Sequence, residues 1–124
     1  MNGLMYPGGD SKPKSGQILG IYRWDQDGGV NLNRSCNTKY MSSGINFIKK
    51  AKVRVTAYVQ RAMYRITVYV SVAGQTFVSY PDNALGSNAT HTKELTVNPG
   101  DSISVWGSHN QNWTPVIVLT EFLE

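Results

Sequence analysis

A single cysteine, Cys36, stands in the 124 residues, so no disulfide can form within the chain. A zinc site needs three or four ligands brought close together. The two histidines, His91 and His109, are not at metal-ligand spacing with each other or with Cys36. Charged residues make up 16% of the chain, against about a quarter in an ordinary soluble domain. Asn, Gly, Ser and Thr fill the polar positions instead, which suits turns and surfaces that meet sugars or other protein chains, and suits helices badly. No run approaches the roughly 20 apolar residues of a membrane-crossing helix. The opening residues MNGLMYPGGDS carry neither the basic nor the apolar part of a secretory signal, so synthesis in a cytoplasm is expected. The N-x-S/T sequons at Asn33, Asn88 and Asn112 then read as chance matches.

Signatures of catalysis are missing as well. Ser108 and His109 are neighbours in sequence, but adjacent loop residues rarely share a triad and no G-x-S-x-G elbow exists. Asp25, Asp27, Gly28 and Gly29 resemble half of a calcium loop without its bidentate Glu, and so read as a turn. Asp101, after Pro99-Gly100, reads as a turn lock whose carboxylate accepts a local backbone N–H bond. No catalytic residue, metal or cofactor is expected, and the protein is not expected to be an enzyme.

What is present is period-2 alternation, strongest from Lys52 to Ser71. Val53, Val55, Ala57 and Val59 share one face, and Tyr64, Ile66, Val68, Val70 and Val72 can join them. Lys52, Arg54, Thr56, Tyr58 and Gln60 take the other face, with Met63, Arg65, Thr67, Tyr69 and Ser71. Folding this stretch about Arg61-Ala62 would make a hairpin in which Arg54 meets Tyr69, Thr56 meets Thr67 and Tyr58 meets Arg65. Arg-Ala is not a favoured two-residue turn, so a longer loop in the same register is the alternative. The resulting Arg- and Tyr-rich face is either solvated sheet or a contact for a ligand or partner.

The remaining chain reads as strands and turns. Residues 1–16 form an extended arm, with Leu4, Met5 and Tyr6 as candidate docking residues, and 17–124 form one β-domain. Strands are expected at Ile18–Tyr22, around Val30 and Leu32, and at Ile45–Ile48 after a Ser42-Ser43-Gly44 turn. Ala73-Gly74 turns into Gln75–Tyr80, with Phe77 inward, and Pro81–Ala89 is a loop. Thr92–Val97 is a strand, Asn98-Pro99-Gly100-Asp101 a type I or II turn, and Ile103 and Val105 mark the next strand. Gly107–Asn112 is a polar loop. Thr114–Phe122 is a last strand, apolar on both faces, and such a strand is central or covered by another subunit. The count is about eight to nine strands with no helix: an all-β, antiparallel sandwich, jelly-roll-like.

Two patches stand out. Trp106, His109, Asn110, Asn112 and Trp113 combine flat rings with amides, the chemistry of a sugar platform or of a subunit contact. Half of the 12 basic residues lie between Lys49 and Arg65, a stretch without an acid. They are not woven into a nucleic-acid motif, and no nucleic-acid or membrane partner is expected. Carboxylates such as Asp82 or Glu94 from another strand or subunit could neutralise this face; otherwise it meets an anionic partner.

Tyr40-Met41-Ser42-Ser43-Gly44-Ile45-Asn46-Phe47 is similar to the tyrosine, small residues, glycine, strand step of many phage tail and baseplate domains. Val97-Asn98-Pro99-Gly100-Asp101-Ser102-Ile103-Ser104-Val105 resembles a step found there and in the globular heads of the complement and tumour-necrosis-factor-like superfamily. The resemblance covers about residues 38–124 and rests on turns and alternation. It implies a jelly roll that commonly trimerises and serves as a virion appendage or receptor-binding head, with no shared catalytic residues. The expectation is a non-enzymatic phage structural protein of the tail, baseplate or capsid, located in the virion. It would be a homotrimer, held to other virion proteins by its arm, with a receptor or host surface glycan as a further partner. The alternative is a lectin-like carbohydrate-binding module using the Trp106–Trp113 segment.

Overall fold

The computed structural model describes residues 12–25, 28–31, 37–60, 65–84, 88–109 and 116–124. Among the described residues ten strands follow one another: β1 (Ile18–Asp25), β2 (Gly28–Asn31), β3 (Met41–Ser42), β4 (Asn46–Phe47), β5 (Ala51–Val59), β6 (Arg65–Val72), β7 (Gln75–Ala84), β8 (Ala89–Val97), β9 (Ile103–His109) and β10 (Val116–Phe122). No helix occurs among the described residues.

The pairing is nested. β6 pairs with β7, β5 with β8 and β1 with β10, all antiparallel. Between these levels, β4 touches the start of β9 through the Asn46–Ser102 bridge, and the Ile103 N–H donates to Ile45 O at 2.7 Å. The chain is thus one long antiparallel ribbon closed at Ala73-Gly74. It is rolled so that β10 also meets β5 and β9 also meets β6. Rolling gives a five-stranded sheet, β2-β1-β10-β5-β8, and a three-stranded sheet, β7-β6-β9, with the β3–β4 pair beside β9. This is the jelly-roll sandwich.

Alternation decides what lies between the sheets. Val53, Val55, Ala57 and Val59 of β5 face Val68 and Val70 of β6 and Val116, Val118 and Phe122 of β10 in one buried cluster. Val53, Val55, Ala57, Val59, Val68, Val70 and Val72 are thus buried as the sequence indicates, Thr56 is buried although expected on the wet face, Tyr64 and the Ile66 side chain lie outside the described residues, and the expected hairpin is not formed. β5 and β6 belong to different sheets. Alternation fixes which face is buried; it does not say whether the next strand lies beside or opposite. The hairpin forms instead at Ala73-Gly74, both at positive φ (49° and 77°), the requirement of a type I′ turn.

Two boundaries also move. β7 runs to Ala84, so strand replaces the first half of the expected Pro81–Ala89 loop. Pro81 is accommodated where the β6–β7 register shifts, the kind of place where a sheet tolerates proline. Phe77 packs against the core as expected, partly buried, and Val78 beside it is fully buried. Val70 pairs with Val78 and Ser71 with Thr76, so Phe77 is the extra residue of a bulge, which lets two neighbouring residues both reach the core. β9 continues to His109, so Gly107–His109 is strand and not loop.

β10 is the central strand of the larger sheet. Val116, Val118, Thr120 and Phe122 are buried, while Ile117, Leu119 and Glu121 are half-buried on the outer face. Of the expected arm, residues 1–11, including Leu4, Met5 and Tyr6, lie outside the described residues. Residues 12–16 lie against the domain: Pro13 is buried, and the Gly16 N–H donates to Phe122 O at 2.6 Å.

Candidate functional site

The two outer faces of the sandwich differ in chemistry. On the three-stranded sheet, Tyr69 of β6 stands between Ser79 of β7 and Trp106 of β9. The Tyr69 and Trp106 rings stack with centroids 4.3 Å apart and planes 24° from parallel. Trp106 is 55% exposed, the most exposed large hydrophobic side chain among the described residues. Such stacking contributes about 0.5–1.5 kcal/mol beyond area burial, and it fixes the indole with one face toward solvent.

Hydroxyl groups surround this pair. Ser71 and Thr76 share a 2.9 Å hydrogen bond, the Thr67 hydroxyl donates to Pro81 O at 2.8 Å, and Ser104 and Ser79 are exposed nearby. Gly107, next to Trp106, holds the strands close. A Cβ there would lie 1.8 Å from the Thr67 carbonyl oxygen, so only glycine lets β9 run at this distance from β6. The sheet surface at this point is an aromatic platform in a hydroxyl field.

The outer face of the five-stranded sheet is half apolar. Ile21 pairs with Leu119, and Ile117 with Tyr58, across β1, β10 and β5. Ile18 and Tyr58 are each 41% exposed. Next to this apolar band lies one charged cluster. The Arg54 guanidinium reaches Glu94 Oε2 on β8 at 3.0 Å from both Nε and Nη2, and Glu121 on β10 at 3.9 Å. The carboxylate expected from another strand is thus Glu94, joined by Glu121. Being exposed, such pairs are worth about 0–1 kcal/mol each. They orient the Arg54 head and leave the apolar band uncovered.

The sequence-derived site residues are therefore split. Arg54 and Tyr58 lie on one sheet, while Tyr69 and Arg65 belong to β6 of the other, so the expected Arg54–Tyr69 and Tyr58–Arg65 pairs do not exist. Both predicted pairs depended on β5 and β6 sharing a sheet. Trp106 and His109 lie on β9, not on a loop. Asn110, Asn112 and Trp113 lie outside the described residues. Tyr69 and Trp106, drawn from two different predicted groups, are the pair that the fold brings together. Their common register position, Tyr69 opposite Trp106, is visible only once β6 and β9 are known neighbours. Glu121 was the site residue the sequence did not reveal, because its partner Arg54 is far away along the chain.

Asp101 takes the role expected of it. The Asn98 N–H donates to its Oδ2 at 2.8 Å, the Asp101 N–H donates to Asn98 O at 3.0 Å, and Gly100 has φ +95°, which makes the turn type II. Among the described residues no three His, Cys, Asp or Glu side chains cluster closely enough to hold a metal ion.

No family model matches the chain, and no curated protein does. Among solved structures, the chain is similar to the globular domain of the zebrafish complement 1qA protein. The TM-score is 0.45 at 8% identity, over 85% of this chain and 96% of that one. It is also similar to Eiger TNF from S. frugiperda, with a TM-score of 0.41 at 12% identity, over 86% of this chain and 88% of that one. Neither is a phage protein.

Proposed function

We propose that this protein is a non-enzymatic assembly domain that works as a homotrimer, packed through the outer face of the five-stranded sheet. The observation that carries this reading is the apolar band of Ile18, Ile21, Ile117, Leu119 and Tyr58, which no other layer covers among the described residues. Contiguous apolar surface of this kind marks interfaces. The Arg54–Glu94–Glu121 cluster at its margin supplies the polar rim usual at such contacts. The trimeric number and the setting, a phage tail, baseplate or capsid appendage, come from the resemblance of the turn motifs.

Chemical cross-linking tests which face is used. Leu119→Glu should abolish the three-chain product while leaving the circular dichroism spectrum unchanged. Ser104→Glu, on the other sheet, should leave cross-linking intact. Equal cross-linking of Leu119→Glu and wild type would contradict the reading.

A second reading has its own observation. The Trp106 indole, supported by Tyr69 and ringed by Ser71, Thr76 and Ser104, has the make-up of a sugar-stacking platform on the opposite face. Aromatic faces stack on the apolar faces of sugars while hydroxyls bond hydroxyls. A glycan array showing a wild-type signal that Trp106→Ala and Tyr69→Ala each lose would support it. No glycan bound by the wild-type chain would contradict it.

A further inference from the structure

At one end of the sandwich, segments far apart in sequence close around a cavity of about 360 Å³. Lys12, Lys49, Lys50 and Lys52 line it, with the rings of Tyr40 and Phe122 among its walls. Its volume falls in the lower part of the roughly 300–1,000 Å³ range of small-molecule sites. We propose that this cavity binds a compact anion carrying phosphate or sulfate groups. Lys52 and Thr96 prolong the outer face of the five-stranded sheet past Arg54, at the end away from the apolar band, and the proposal does not depend on the assembly reading.

The fold holds the lysines together rather than leaving them as loose surface charge. Ala51 is buried between Lys50 and Lys52. The Lys52 N–H donates to Glu124 O at 2.7 Å, and the Leu123 N–H donates back to Lys52 O at 2.8 Å. The Lys49 ammonium sits 5.0 Å from the Tyr40 ring centroid, a cation–π contact that restrains its long side chain. Tyr40 is itself fixed, because its ring meets Phe122 edge-on at 5.5 Å and the Ile48 N–H donates to its carbonyl at 2.9 Å. Lys12 is brought in by buried Pro13 and by the Gly16–Phe122 backbone bond.

The charge at this end is not balanced. No carboxylate among the described residues comes within ion-pair distance of these four ammonium groups, and Glu124 is the single acid in the lining. Arg54, two residues along β5 from Lys52, shows the contrast, because it is matched by two glutamates. Like charges held around one cavity repel, and an anion placed between them removes that repulsion and gains charge-assisted hydrogen bonds. Lysine is well suited to phosphate and sulfate as a point charge with three donors. The Tyr40 and Phe122 rings give the body of such a ligand an apolar wall.

The test is calorimetric titration of the full chain with two probes, pyrophosphate and a sulfated disaccharide, at low and at near-physiological salt. The variants are Lys49→Ala/Lys52→Ala and, as control, exposed Lys39→Ala. Circular dichroism and thermal melting confirm that each variant folds. The proposal expects saturable one-to-one binding of at least one probe, weakened tenfold or more in the double variant and unchanged in Lys39→Ala. Binding should weaken as salt rises. The same probe should raise the melting temperature of the wild type and not of the double variant. Tighter pyrophosphate binding would identify a phosphorylated ligand, and tighter disaccharide binding a sulfated sugar. Absence of saturable binding of both probes, or equal loss in Lys39→Ala, would overturn the proposal.

Discussion

The Tyr80 hydroxyl lies 2.8 Å from Nε2 of His91, and their rings meet edge-on with centroids 5.7 Å apart. Tyr80 is on β7 and His91 on β8, edge strands of opposite sheets, so this contact ties the two layers along one open side of the sandwich. Among the described residues the layers otherwise meet through apolar packing. Tyr80→Phe keeps the ring and removes the bond, and should lower stability by about 0.5–1.5 kcal/mol. A double-mutant cycle with His91→Ala in urea unfolding should then return a non-zero coupling. Independent effects of the two substitutions would mean that the bond contributes nothing.

Thr120 breaks the apolar row of β10. It is fully buried, and its Oγ1 has no hydrogen-bond partner among the described residues. An unmatched buried hydroxyl costs about 1–3 kcal/mol by mutational measures. Thr120→Val has nearly the same shape and no hydroxyl. It should raise the urea midpoint without changing the slope, by a stability gain of about 1 kcal/mol.

Ala73 occupies the first central position of the β6–β7 turn at φ +49°, where a Cβ is unfavourable. Left-handed backbone costs an ordinary residue about 1–2 kcal/mol, and Asn tolerates it best after glycine. Ala73→Asn, which creates the favoured Asn-Gly turn, should stabilise the domain by about 0.5–1 kcal/mol in thermal unfolding. A lower melting temperature would show that the turn is not under this strain.

Burial raises the Tyr22 phenol above the ordinary tyrosine value. The folded state then holds this proton more tightly than the unfolded chain. The contribution is fully present below the unfolded value near 10, and is lost as pH rises through the higher folded value. Tyr22→Phe cannot ionise, so it should keep more of its stability than wild type from about pH 10 upward. Parallel alkaline melts of the two proteins check this, and identical curves would contradict it.

Fold class was legible because alternation is a local signal. Val53 to Val59 and Val68 to Val72 declare a buried face without any knowledge of neighbours, and all of these odd- or even-numbered valines are buried. Asn98-Pro99-Gly100-Asp101 and Ala73-Gly74 declared their turns through the fixed φ of Pro99 and the positive φ open to Gly100 and Gly74. Strand partners were not legible. Whether β5 turns back beside β6 or arches to the opposite sheet depends on contacts with β8 and β10, dozens of residues away. The candidate sites suffered accordingly. Tyr69 and Trp106 were each visible as residues of interest, but their stacking, and the meeting of Lys12 with Lys49–Lys52, exist only after the ribbon is rolled. Val78 was missed beside Phe77 for a smaller reason, a one-residue bulge that no alternation pattern reveals.

The central claim is that the outer face of the five-stranded sheet is an interface between copies of this chain. Size-exclusion chromatography with light scattering at micromolar concentration measures this most directly. The account predicts a mass three times that of the 13.7 kDa chain for the wild type, falling to the single-chain mass in Leu119→Glu. A wild-type mass equal to one chain would contradict it.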